Sequence, residues 1–168
     1  MTSPQFEDWG LIPYQEALSR QLEYVEDVSE GRRSDTIVLC THPPVVTLGR
    51  ATQEGDVIDW QGELVEVSRG GRATSHGPDQ MVVYPIINLN LRGRDIHKHL
   101  RWLEQIVQSL LTEYGVQGEI YAKDTGIWVD SKKVCSIGIA VKKWVSYHGL
   151  SLAVDINSNA YQGINPCG

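Results

Sequence analysis

Cys167 stands in Asn165-Pro166-Cys167-Gly168, a loop composition that keeps a thiol off any regular element. A cysteine attacks only as its thiolate, and at an unperturbed pKa of about 8.5 little of it is ionised at neutral pH. A cation or base must therefore stand beside it. Lys133, in Lys132-Lys133-Val134-Cys135-Ser136-Ile137-Gly138, is the candidate, because it opens a strand whose following residues are apolar. Desolvation there lowers a lysine pKa and makes the amine a proton acceptor. Taken alone, a cysteine is more often structural than nucleophilic, and Lys132-Lys133 reads as readily as a solvated hairpin turn.

A second constellation runs Arg69-Gly70-Gly71-Arg72-Ala73-Thr74-Ser75-His76-Gly77-Pro78. Paired glycines let backbone approach a ligand closely and present N–H groups to it. No Gly-Lys-Ser/Thr follows and the dinucleotide spacing is missing, so a phosphate loop fits poorly and a loop that walls a substrate pocket fits better. His76 and His148 read equally as hydrogen-bonded structural histidines. His42, His76, His97, His99 and His148 with the cysteines raise the question of metal, but no Cys-x-x-Cys or His-x-x-x-His occurs. His97-x-His99 falls on a helical stretch that separates the rings, so no metal is expected. The local signature of a papain-like Cys–His protease is also missing.

Helices and strands must hold these groups. Tyr14 to Glu30 carries apolar residues at 14, 18, 22, 25 and 28, the spacing of an amphipathic helix that Gly31 stops. Thr36–Cys40 and Val45–Gly49 read as strands broken by His42-Pro43-Pro44. Leu64–Ser68 alternates like a half-buried strand and leads into the glycine-rich loop. Met81–Ile87 is a strand whose Pro85 predicts an edge or a bulge. Asp95 can cap a helix running to Tyr114, ended by Gly115. Gly126–Val129 and Val134–Val141 flank a turn at Asp130-Ser131-Lys132, and Trp144–His148 with Leu150–Val154 continue the meander around Gly149. Helices beside consecutive antiparallel strands predict a single α+β domain over residues 1–168, with helices packed on a mixed, mostly antiparallel sheet.

The composition, 41% apolar and 21% charged over 168 residues, is that of a globular protein. No apolar run approaches the ~20 residues of a membrane span, and no secretory leader is visible. Three cysteines argue against a disulfide framework and for a reducing compartment, so the cytoplasm is expected. A net charge of −6 argues against nucleic acid as a partner. Arg92, Arg94, Lys98 and Arg101, and likewise Lys142-Lys143, read as solvated faces or as docking patches for an acidic carrier protein.

Together the 69–78 loop, the Lys133 segment and the Pro166-Cys167-Gly168 motif resemble the octanoyltransferases of lipoate biosynthesis, over most of the chain. The resemblance implies the fold of the biotin and lipoate protein ligase catalytic domain, with neither ATP nor any other cofactor. It implies that Cys167 takes the octanoyl group from octanoyl-acyl carrier protein as a thioester. A lysine then receives it, on the lipoyl domains of 2-oxoacid dehydrogenase complexes or on the glycine cleavage H protein. Lys133 would lower the cysteine pKa and serve as acid and base. Arg69, Gly70, Gly71, Arg72, Ala73, Thr74, Ser75 and His76 would line the acyl pocket, with Ser136, Ile137, Gly138, Gly149, Leu150 and Ser151.

Four positions depart from the family pattern. Ser75 replaces an aromatic residue, Asp79 a glycine, Ser151 an alanine and Ala153 an asparagine. Asp79 adds a carboxylate and a Cβ to a tight loop. Family members continue past the motif, so the resemblance implies either a further segment after Gly168 or a natural protein that is unusually short. Two rivals remain, an ATP-dependent lipoate ligase that would not need Cys167 and a non-catalytic acyl-binding module in which Cys167 is idle.

Overall fold

A computed structural model of the chain describes residues 3–122, 124–155 and 161–165. Strand β1 (Gln5–Leu11) leads into helix α1 (Tyr14–Ser29), then β2 (Thr36–Thr41), β3 (Val45–Leu48), β4 (Glu63–Glu66), β5 (Thr74–His76) and β6 (Gln80–Ile86). A short 3-10 turn, Leu89–Arg92, precedes helix α2 (Ile96–Glu113), and β7 (Gly126–Val129), β8 (Lys132–Lys142) and β9 (Val145–Ala153) follow. The class is α+β, as the pattern predicts. The strands divide into two sheets, however: a large one in the order β1-β2-β6-β9-β8-β7 and a small one in the order β4-β3-β5. Pairing is antiparallel except for β1 with β2 and β3 with β4.

The β7–β8–β9 meander closes through two tight turns, Asp130-Ser131 and Lys143-Trp144, with all four residues at positive φ. Such turns match the twist of the flanking strands. Asp130 tolerates this conformation, whereas Ser131, Lys143 and Trp144 do so at a cost of roughly 1–2 kcal/mol each. Glu26 on α1 clamps the second turn, holding Lys142 at 2.8 Å and Lys143 at 2.5 Å. The two ammonium groups push the Glu26 carboxyl down to about 2.

Pro85 corrects the expectation of an edge strand, because β6 lies inside the sheet between β2 and β9. The ladder to β9 breaks off after Val83↔Leu150 and returns in unchanged register at Asn88↔Val145. Pro85, which has no N–H, falls in the break opposite His148. The backbone N–H of His148 donates instead to the Gln21 side chain on α1 at 2.8 Å, and the Pro85 carbonyl accepts from Ser146 Oγ at 2.8 Å. Interior proline is tolerated here because side chains replace the missing ladder bonds.

Each face of the large sheet carries one helix. Ala17, Val25 and Val28 of α1 pack on Val38, Val82, Tyr84, Ile86, Ala140 and Tyr147. Leu103 and Val107 of α2 pack on the other face, against Ile127, Cys135, Ile137, Ile139, Leu150 and Leu152. Asp95 caps α2, its Oδ1 accepting the Lys98 N–H at 2.9 Å. Most of the basic residues that suggested a docking patch are tied into the fold. Arg92 pairs with Asp35 at 2.8 Å, Arg101 with the buried Glu104 at 2.6 Å, and Lys142-Lys143 with Glu26. No described helix is long and apolar enough to cross a membrane.

Candidate active site

A cleft with about 540 Å³ of empty space, partly open to solvent, lies on the α1 side of β6, β9 and β8, beneath the 69–72 loop. Arg69 shapes that loop from within. Its guanidinium is buried and donates to the carbonyls of Gly70 (3.0 Å), Arg72 (2.9 Å) and Thr47 (2.9 Å) and to Thr47 Oγ1 (2.7 Å). Charge-assisted bonds of this kind are the strong ones. Gly70 N–H in turn donates to Ile139 O at 3.0 Å, which lays the loop on β8. A Cβ at Gly138 would stand 2.9 Å from Gly70 O, so glycine is what allows the close approach. Arg72 forms a two-pronged pair with Asp56, whose carboxyl is held below its ordinary range by the guanidinium.

Lys133 reaches this cleft because β8 is irregular. Ile127 pairs with Cys135 but Trp128 pairs with Lys133, so Val134 is an extra residue on β8. Side chains alternate along a strand, and an odd separation of three would put Lys133 and Ser136 on opposite faces. The inserted residue reverses that parity, and Lys133 joins Ser136 and Gly138 on the cleft wall. Ser151, paired with Val82 on one side and Ser136 on the other, completes the wall. Its hydroxyl donates to Gln80 Oε1.

The floor mixes polar and apolar side chains. Tyr14, His76, Tyr84 and His148 line it, beside apolar Val82, Ile137 and Leu150. Burial, reinforced by the Arg69 charge, pushes His76 and His148 down to about 3, so both rings are neutral. Burial likewise raises Tyr14 to about 12 and Tyr84 well above the usual phenol range. Tyr84 OH lies 2.7 Å from His42 Nε2, His42 Nδ1 lies 2.7 Å from Ile12 O, and Tyr14 stacks on His76 with centroids 5.9 Å apart. The polar part of the floor is thus a set of fixed neutral dipoles with Arg69 as its buried cation.

Two cysteines are described, Cys40 and Cys135, and both are buried with thiols pushed up to about 12 by desolvation. Neither can supply a thiolate near neutral pH.

Residues 13–168 match the lipoyl protein ligase A/B catalytic domain. The octanoyltransferase of Bdellovibrio bacteriovorus is 46% identical over an alignment of 180 residues, covering 97% of this chain and 82% of that protein. The chain belongs to the octanoyltransferase family. The octanoyltransferase of Syntrophotalea carbinolica is 39% identical, over 98% of this chain and 78% of its own. Among solved structures, lipoate-protein ligase A bound with ATP superposes with a TM-score of 0.74 at 14% identity, covering 98% of this chain and 72% of that one. The bipartite lipoate protein ligase of Thermoplasma acidophilum gives 0.72 at 14% identity, over 98% of this chain and 67% of its own. Octanoyltransferase family and lipoate ligases thus share one catalytic-domain fold, and this chain is an acyltransferase of that class.

Of the residues predicted to line the octanoyltransferase pocket, the cleft gathers Arg69, Gly70, Gly71, Arg72, Thr74, His76, Ser136, Ile137, Gly138, Gly149, Leu150 and Ser151, together with Lys133. Ala73 and Ser75 are buried elsewhere. Alternation along β5 turns them away from Thr74 and His76, and Ala73 packs with Val46 and Ile164. Tyr14, Val82, Tyr84 and His148 are additional lining residues. The shared parity of Val82 and Tyr84 was readable from sequence, but not which face would carry the cleft. Cys167, with Pro166 and Gly168, lies outside the described residues.

Proposed function

We propose that this chain moves an octanoyl group from octanoyl-acyl carrier protein to a lysine of a lipoyl domain, through a thioester on Cys167. The observation that carries the reading is Lys133, which the inserted Val134 turns onto the cleft wall beside the 69–72 loop. In the first step the Cys167 thiolate attacks the thioester carbonyl carbon and the tetrahedral adduct collapses. The carrier thiolate leaves and takes a proton from the Lys133 ammonium. In the second step the ε-amine of the target lysine attacks the Cys167 thioester. An amide forms, the Cys167 thiolate departs, and Lys133 recovers a proton from the attacking nitrogen.

Lipoyl domains of 2-oxoacid dehydrogenase complexes and the glycine cleavage H protein are the acceptors, in the cytoplasm. The relatives named octanoyltransferase support the reaction class, and the buried, high-pKa thiols of Cys40 and Cys135 support the reading of Cys167 as the nucleophile. Arg69–Arg72, Thr74 and His76, with the 136–138 and 149–151 segments, hold the acyl group. Each methylene buried there contributes roughly 0.8 kcal/mol.

Intact mass spectrometry after incubation with octanoyl-acyl carrier protein, without ATP, tests the proposal. The expected product is a gain of one octanoyl unit, removed by hydroxylamine, absent in Cys167→Ser and slow in Lys133→Ala. An adduct that requires ATP, or one that survives in Cys167→Ser, would overturn it.

A further inference from the structure

Three features set Lys133 in place. The extra residue at Val134 turns it onto the cleft side of β8, in the way bulges re-aim side chains beside active sites. Gly126, across the ladder, leaves room for its stem. A Cβ there would stand 2.6 Å from Lys133 Cε and 2.4 Å from Cys135 O, and the backbone holds φ +142. Trp128, the cross-strand partner of Lys133, carries the ammonium nitrogen 4.9 Å from its ring centroid.

The Trp128 ring is itself held. Its plane stacks on Tyr121 with centroids 4.7 Å apart and 25° between the rings, and Trp128 and Glu119 exchange backbone hydrogen bonds of 3.0 and 2.8 Å. Tyr121 OH donates to Glu119 Oε2 at 2.9 Å. Glu119, Tyr121 and Trp128 thus brace one another behind the lysine.

We propose that Trp128 is a positioning residue for Lys133, its ring face holding the ammonium at the cleft wall where acyl transfer needs it. The inference rests on the reading that Lys133 carries the proton. The chemistry suits that task. An aromatic face attracts an ammonium through its quadrupole but has no basic atom to compete for the proton.

Single-turnover rates of Cys167 acylation, measured beside donor affinity and thermal melting, test the inference. Trp128→Phe is expected within about 3-fold of the parent rate and Trp128→Leu about 5- to 30-fold slower, with donor affinity unchanged. Fluorinated tryptophans at position 128 weaken the ring quadrupole while keeping its shape, so the logarithm of the rate should fall with each added fluorine. A flat fluorine series would overturn the proposal, even if the leucine variant does not fold. A leucine variant that acylates at the parent rate would do the same. Lys133→Ala separates the two levels. If it is slow while Trp128→Leu is fast, only the role of Trp128 fails; if it matches the parent, the proton-carrier reading fails and takes Trp128 with it.

Discussion

Arg69 turns its guanidinium inward, onto the carbonyls of Gly70, Arg72 and Thr47. Removing it leaves buried acceptors without donors, and each such loss costs about 1–3 kcal/mol. Arg69→Ala should therefore lower unfolding stability by roughly 2–5 kcal/mol and loosen the loop that roofs the cleft. Denaturant unfolding checks the first effect, and protection of the Gly70 amide against hydrogen exchange the second. A parental midpoint would show that the loop is held by something else. The sequence marked Arg69 through its glycine neighbours, as part of a ligand loop. It could not show that the side chain's main duty is internal, because Thr47 is distant in the chain and only the β3–β5 pairing brings it near. His148 was visible yet undecided for a similar reason: its hydrogen-bond partners, Tyr14 and Ser68, come from remote segments.

At the scale of elements, both helices were legible. Each has an apolar stripe of helical period and a clear stop, and α2 also has a capping side chain. Asp95→Ala should cost α2 about 1 kcal/mol through the lost bond to the Lys98 N–H. Leu103→Ala should cost about 2–5 kcal/mol by opening a cavity above β7 and β8. Urea titrations of the two single variants and the double variant would give additive losses if the sites are independent. The strands were legible where β-branched residues cluster, as in Thr36–Thr41, and hidden where they do not. β1 holds charged residues and leaves Phe6 and Leu11 exposed at the sheet edge, so neither alternation nor burial announces it. The inserted Val134 was invisible too. A bulge is a statement about two strands at once, and the residues of β8 alone read as an unbroken run.

Over the whole molecule, the buried histidines give a clear acid response. His42, His76, His99 and His148 all sit below the ordinary imidazole range, His76 and His148 at about 3 and His99 at about 4, because burial disfavours the charged ring. The unfolded chain takes up these protons near pH ~6.5, well before the folded chain does. Stability is thus full above that pH and declines as pH falls toward 4, each ring contributing on the order of 1 kcal/mol per pH unit. His99→Gln, outside the cleft, should flatten the dependence of the urea midpoint on pH between about 6.5 and 4.5. An unchanged slope would mean that His99 titrates normally. The α+β class was predictable from local pattern, whereas the division into two sheets was not, since it depends on which strands find one another. That pairing has a further consequence for synthesis. β9 is the last described strand to leave the ribosome, yet it occupies the middle of the large sheet, between β6 and β8. Until it emerges, β6 presents an unpaired edge for roughly 3–13 s at ordinary elongation rates, long enough to invite wrong partners. Ribosome-bound chains with Val145–Ala153 still inside the exit tunnel should be open to protease, and released chains protected. The large sheet therefore closes from the inside, its central strand arriving after the strands on either side of it have been made.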